Sequence, residues 1–79
     1  MTQDEAFDLI KKALDETSAG LSEKVTMDTH LTEDEIIDSL DSMNFLFELE
    51  QLLGHKIEEI DETFDDFRIK RLIELISSD

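Results

Sequence analysis

The sequence predicts an all-α fold: a small bundle of three main helices plus one short helix, with a long loop between helices one and two. Three observations predict it. Apolar residues recur at helical spacing in three separate segments. Residues that start and stop helices bracket those segments. No stretch alternates strictly between apolar and polar residues, and no Asn-Gly or Asp-Gly pair marks a hairpin turn.

The first helix is expected from about Gln3 to Thr17. Thr2 and Glu5 have capping-box spacing, so their side chains satisfy the free N–H groups of the first turn. Phe7, Ile10 and Leu14 repeat at helical spacing with Ala6 and Ala13 beside them, and Gly20 suits a stop. Residues 21–37 then form a long connection in which Leu21, Val25, Met27 and Leu31 lack a clear period but can pin the loop to the core. Such a long connection in a compact domain is often functional. Thr32 and Glu35 repeat the capping-box spacing, which suggests a short helical turn over Thr32 to Ile37.

The second main helix starts near Ser39, with Asp38 as N-cap and Asp41 complementing the helix dipole. Gly54 stands where a left-handed residue ends a helix. Two stripes run along this helix. Leu46, Leu49 and Leu53 form one, with Phe45 and Leu52 beside it; Leu40, Met43 and Phe47 form the other, rotated to one side. Either the helix is buried on two faces, or one stripe is offered to partners. Ile57, Ile60 and Phe64 suggest the short irregular helix. The last helix is expected over Phe67 to Ile76, capped by Asp65 or Asp66, with Ile69, Leu72, Ile73 and Ile76 as its inner stripe.

Residues 1–79 make a single domain, a size at which a core is marginal and depends on well-formed helices. The 39% hydrophobic fraction and its periodicity argue for a folded chain despite the charge. That charge is 22 acids against 7 bases, a net of −15. Nucleic acids and anionic membranes repel such a surface, so partners should carry basic patches. There are no cysteines, which excludes a disulfide-stapled secreted fold and fits a reducing cytoplasm. No apolar run approaches the roughly 20 residues that span a bilayer. The start, Met1-Thr2-Gln3-Asp4-Glu5, is acidic, the opposite of a signal peptide.

The candidate site is the run Asp38-Ser39-Leu40-Asp41-Ser42-Met43. A serine follows an acid where an amphipathic helix is expected to begin. Asp-Ser-Leu alone occurs by chance in many proteins. Its position after a long connection in a short, acidic, helical chain resembles the acyl carrier protein family. The resemblance covers nearly the whole chain: length, acidity, helix order and the motif itself. It implies 4′-phosphopantetheine, derived from coenzyme A and esterified to Ser39, holding an acyl or aminoacyl group as a thioester. Asp38 then matches the acid of the motif, and Leu40 the apolar position that partner enzymes contact. The acidic side of the helix (Asp41, Glu48, Glu50) would dock on Arg and Lys of those enzymes, and Leu40, Asp41, Met43, Phe47 and Glu48 are the partner-binding residues this implies. The partners implied are a phosphopantetheinyl transferase, an acyl- or aminoacyl-loading ligase, and downstream synthases or transferases. The chain itself would be a monomer, a carrier rather than an enzyme, in the lipid and polyketide branch of chemistry.

Asn44 and Gln51 stand where fatty-acid-synthesis carriers usually have acids. Ile36-Ile37 replaces the glycine that commonly precedes the motif, and the usual proline after the second helix is absent, with Glu58 following Ile57. These departures point to a dedicated system, and Ile36-Ile37-Asp38-Ser39-Leu40 also looks like D-alanyl and other stand-alone carriers. Ser42 is the rival hydroxyl, expected to face solvent. Phe45, if inward, fills space that an acyl chain could use. Two alternatives remain: an acidic calcium-binding module, or a docking module without a prosthetic group. A calcium loop begun at Asp28 has His30, Glu33 and Ser39 at positions where ligand, glycine and ligand are required. His30 and His55 are isolated, with no cysteine and no helix-paired histidine to bind a metal. No Gly-rich phosphate loop is present, since the only glycines are Gly20 and Gly54.

Overall fold

Thr2 opens the first helix as its sequence requires. Its hydroxyl accepts from the Glu5 amide at 3.1 Å, and its own amide donates to Glu5 Oε1 at 3.0 Å. The computed structural model describes residues 1–60 and 64–77. Three helices appear in order: α1 (Gln3–Thr17), α2 (Ser39–Leu53) and α3 (Ile69–Ser77), with a 3₁₀ turn at Leu21–Lys24. No strand occurs among the described residues.

The periodic residues of each helix bury as their spacing demands. Ala6, Ile10, Ala13 and Leu14 of α1 are fully buried. α2 contributes Phe45, Leu46 and Leu49, and α3 contributes Ile69, Leu72, Ile73 and Ile76. α1 packs against both other helices, which do not approach each other closely. Its two alanines suit this central place, because small side chains permit short interaxial distances. The connections supply the remaining core: Leu21, Val25, Leu31 and Ile37 before α2, Ile57 and Phe67 after it. Phe64 meets Phe67 edge-on at 5.2 Å.

One backbone junction ties the two connections together. The Leu31 amide donates to the Phe67 carbonyl, and the Ile69 amide donates to the Thr29 carbonyl, each at 2.9 Å. This is a single antiparallel bridge centred on His30 and Arg68. The Leu31 carbonyl in turn accepts from the amides of Ile36 and Ile37, both at 3.0 Å. A buried connection must satisfy its backbone polar groups somewhere, and Leu31 is where this one does so.

Several expectations are corrected. The helical turn anticipated over Thr32 to Ile37 is a run of turns, because Glu35 adopts φ 59° and a left-handed residue cannot continue a right-handed helix. Thr32 and Glu35 form no capping box: the Thr32 hydroxyl lies 3.3 Å from His30 Nδ1 instead. Of the short helix anticipated through Ile57, Ile60 and Phe64, the described residues show a turn at Ile57–Ile60, and residues 61–63 lie outside them. The short helix that does form is the 3₁₀ turn at Leu21–Lys24. Gly20 enters it at φ 87°, and the Asp15 carboxylate accepts from both the amide and the hydroxyl of Ser22. Gly20 therefore shapes the turn after α1, which already ends at Ser18. α3 begins at Ile69 rather than Phe67, because the Phe67 carbonyl is taken by Leu31. Asp66 does not cap it either: its carboxylate holds the Arg68 guanidinium through two contacts of 2.7 Å.

Three carboxyls are held below the usual range: Glu5 by the Thr2 amide and hydroxyl, Asp15 by the Ser22 amide and hydroxyl, and Asp66 by the Arg68 guanidinium. A depressed folded-state value means stabilisation that is complete at neutral pH and lost as pH falls through that value. Asp15→Asn should therefore be less stable than the parent at pH 7. The difference should shrink towards zero below the ordinary carboxylate range. Urea melts in roughly 0.5 M salt, which screens the general acidic repulsion, measure it.

Candidate functional site

Asp38 is the N-cap of α2, with extended backbone and its Oδ1 accepting the Asp41 amide at 2.8 Å. The Asp38 carbonyl accepts the Ser42 amide at 2.9 Å. The side-chain bond satisfies one of the four amides that a helix start leaves free, and the carbonyl takes the first bond of the helix itself. The Ser39 and Leu40 amides keep no partner among the described residues. Ser39 is the first helical residue and is exposed, and its hydroxyl has no hydrogen-bond partner among the described residues. A free hydroxyl beside two free amides at the positive end of a helix is a place where an anionic substituent is tolerated.

An open depression of about 400 Å³ adjoins this helix start, lined by Thr32, Glu35, Ile36, Ile37, Asp38 and Asp41. The loop that walls it is held from below. Ile37 is buried, and the Ile36 and Ile37 amides are bound to the Leu31 carbonyl. Glu35 reaches its left-handed conformation between those bonds and its own amide's bond to the Thr32 carbonyl at 3.2 Å.

The two stripes of α2 separate cleanly. Phe45 is fully buried and points inward with Leu46 and Leu49, Leu53 is half-buried, and Leu52, expected beside them, is exposed at the end of the helix. Leu40, Met43 and Phe47 lie on the surface at 79%, 57% and 58% exposure, so this stripe is not core. Asp38 is exposed beside it, and Asp41 and Glu48 are partly exposed. No Lys or Arg occurs between residues 25 and 55, so α2 carries acids without a base of its own. Beyond Phe47 the surface dips into a notch of about 370 Å³ that reaches Gly54 and Lys56.

Two further residues differ from expectation. Ser42 does not face solvent; it is buried, and its hydroxyl donates to the Ser39 carbonyl at 2.7 Å. The signal was present: Ser42 precedes Leu46 by four positions and Leu49 by seven, on the inner stripe. It cannot compete with Ser39 as an exposed nucleophile. Glu50 is not simply a solvated acid. Its Oε2 accepts the Ile57 amide at 2.9 Å and tethers the connection after α2. No local pattern announces a bond that crosses the turn at Gly54.

No three metal-ligating side chains converge among the described residues, the acidic run after Asp28 included. Among the described residues no helix is long and apolar enough to cross a membrane. No family model matches the chain, and no curated protein or solved structure matches it either.

The burial pattern sets the cost of truncation on each face. Phe47→Ala and Met43→Ala should each cost under about 1 kcal/mol in chemical denaturation, whereas Phe45→Ala should cost roughly 3–5 kcal/mol. Glu35→Gly should add roughly 0.5–1 kcal/mol, because glycine removes the left-handed strain and offsets part of that with its own unfolded-state entropy.

Proposed function

We propose that this chain is a carrier domain in which Ser39 bears 4′-phosphopantetheine and partner enzymes dock along the exposed face of α2. The observation that supports it most is the Ser39 hydroxyl: exposed, unpartnered, and set at the start of a helix immediately behind the Asp38 cap. The residues present fit the group. Two free amides and the helix dipole suit its phosphate, and the adjacent depression is open enough for an arm to leave in several directions. When bound, the group supplies a thiol on a long arm that holds acyl or aminoacyl cargo as a thioester.

The chain's own residues do the positioning. Asp38 closes the first turn of α2, and the buried Ser42 ties the Ser39 carbonyl to that turn. Ser39 is thus presented on a rigid element. Leu40, Met43 and Phe47 offer an apolar strip, with Asp38, Asp41 and Glu48 around it. Acids around an apolar centre suit a brief contact: charge speeds the encounter with a basic enzyme surface, and the apolar residues hold it. This reading makes the protein a cytoplasmic, monomeric carrier served by a phosphopantetheinyl transferase, a loading ligase and downstream transfer enzymes. The Ile36-Ile37 lead into the motif and the amides Asn44 and Gln51 favour a dedicated pathway over general fatty-acid synthesis.

The test is incubation with coenzyme A and a broad-specificity transferase, followed by intact-mass and peptide analysis. One phosphopantetheine on the Ser39 peptide is expected, and Ser39→Ala should melt like the parent and accept none. Asp41→Lys and Glu48→Lys should slow the modification several-fold at low salt and less at high salt, with melting temperatures nearly unchanged. Failure of the folded parent with several transferases would leave an acidic docking module without a prosthetic group as the better reading.

A further inference from the structure

His30 is woven into the loop that leads to Ser39, and its ring is mostly buried, with 17% of the side chain exposed. Its Nδ1 lies 3.2 Å from the Glu33 amide and 3.3 Å from the Thr32 hydroxyl. A backbone amide can only donate, so Nδ1 must present a lone pair and the ring is neutral with its proton on Nε2. That Nε2 faces Glu33 Oε2 at 3.6 Å. The same turn is closed from the other side. The His30 amide donates to Asp34 Oδ2, and the Asp34 amide donates to the His30 carbonyl, both at 2.9 Å.

Charged groups surround this ring on two elements. Glu33 and Asp34 on its own loop, and Asp66 on the approach to α3, are the acids around it. Arg68, bridged to His30 through the backbone, is the opposing cation, and Asp66 already engages it. The hydrogen bond from the Glu33 amide and a proton on Nδ1 exclude each other, because together they would set two donors head-on. Charging the ring therefore has to open the turn at Glu33.

We propose that protonation of His30 is a conformational switch that releases the Glu33 amide, rearranges residues 30–37 and so alters how the Asp38–Ser39 helix start is presented. The path is short. The turn at 30–34 leads directly into the left-handed Glu35 and then to the two amides held by the Leu31 carbonyl, one residue before Asp38. Histidines change charge between pH 5 and 8, the range in which a cell can acidify. The switch is a property of the unmodified chain; only its consequence for loading rests on the carrier reading.

The experiment is an NMR titration of the unmodified, ¹⁵N-labelled protein from pH 8 to 5.5 in a His55→Asn background, which leaves His30 as the only imidazole. At pH 8 the ring nitrogens should show a bare, hydrogen-bonded Nδ1 and a protonated Nε2. As the ring charges, the Glu33 amide should lose its bond and exchange about 10-fold faster after correction for intrinsic rates. The Asp38, Ser39 and Leu40 amides should shift with the midpoint of the ring. His30→Asn offers an acceptor near the place of Nδ1 but cannot charge, so in that variant all of these changes should vanish. A proton on Nδ1 at pH 8 would overturn the proposal. So would Ser39-region amides that stay still while the ring titrates, or that shift equally in His30→Asn. Because coenzyme A is absent, either outcome leaves the modification of Ser39 to its own test.

Discussion

The structure depends most on the backbone of Leu31. Its amide binds the Phe67 carbonyl, its carbonyl binds the Ile36 and Ile37 amides, and its side chain is fully buried. α2 and α3 do not pack closely on each other, and each rests on α1. Something else must set where the start of α2 lies relative to the start of α3, and the Leu31 junction does so. It closes a loop between residues far apart in sequence, which is an entropic cost that only packing of Leu31, Ile37 and Phe67 can offset. The left-handed Glu35 follows from the same constraint: two successive amides must turn back to one carbonyl, and the chain between them has to reverse.

Charge is arranged around that frame rather than spread evenly. Arg68 is held by Asp66, Lys70 by Asp28 and Arg71 by Glu74, so bases on and beside α3 are spent on neighbouring acids. Pairs this exposed add little stability each. The stretch 25–55 holds no Lys or Arg of its own, among the described residues only Asp28 in it is paired with a lysine, and α2 also exposes Leu40, Met43 and Phe47. Both features weaken an isolated domain. Repulsion opposes compaction, and three large apolar side chains on one helix face remain in water. That this surface contributes so little to the fold supports the docking face proposed for α2.

The helices were legible because their signals are local. The Thr2–Glu5 box, the Asp38 cap, the left-handed Gly54 and the inner stripes of α1, α2 and α3 each depend on residues within a few positions. The helix start at the candidate site was legible for the same reason, since Ser39 and its cap Asp38 are neighbours in sequence. What escaped was set at long range. The start of α3 moved because Leu31 claimed the Phe67 carbonyl, and Glu50 became a tether by reaching Ile57 across a turn. Thr32 and Glu35 had the spacing of a capping box, but His30 engaged the threonine and the loop required Glu35 to be left-handed. Ser42 is the instructive miss: its place on the inner stripe outranked the usual exposure of serine, and the Ser39 carbonyl satisfied its hydroxyl.

Native-state hydrogen exchange at the Leu31 amide tests the central claim most directly. If the Leu31 junction holds the loop to the start of α3, that amide should exchange only through openings nearly as costly as global unfolding. The Ile36 and Ile37 amides should be protected with it, although all three lie outside any helix. An account in which α1 alone organises the domain, with residues 25–38 a loose connection, requires the opposite. Exchange of Leu31 at the rate of a free loop, while α1 and α2 stay protected, would contradict the structure's central constraint and remove the basis for how Ser39 is positioned.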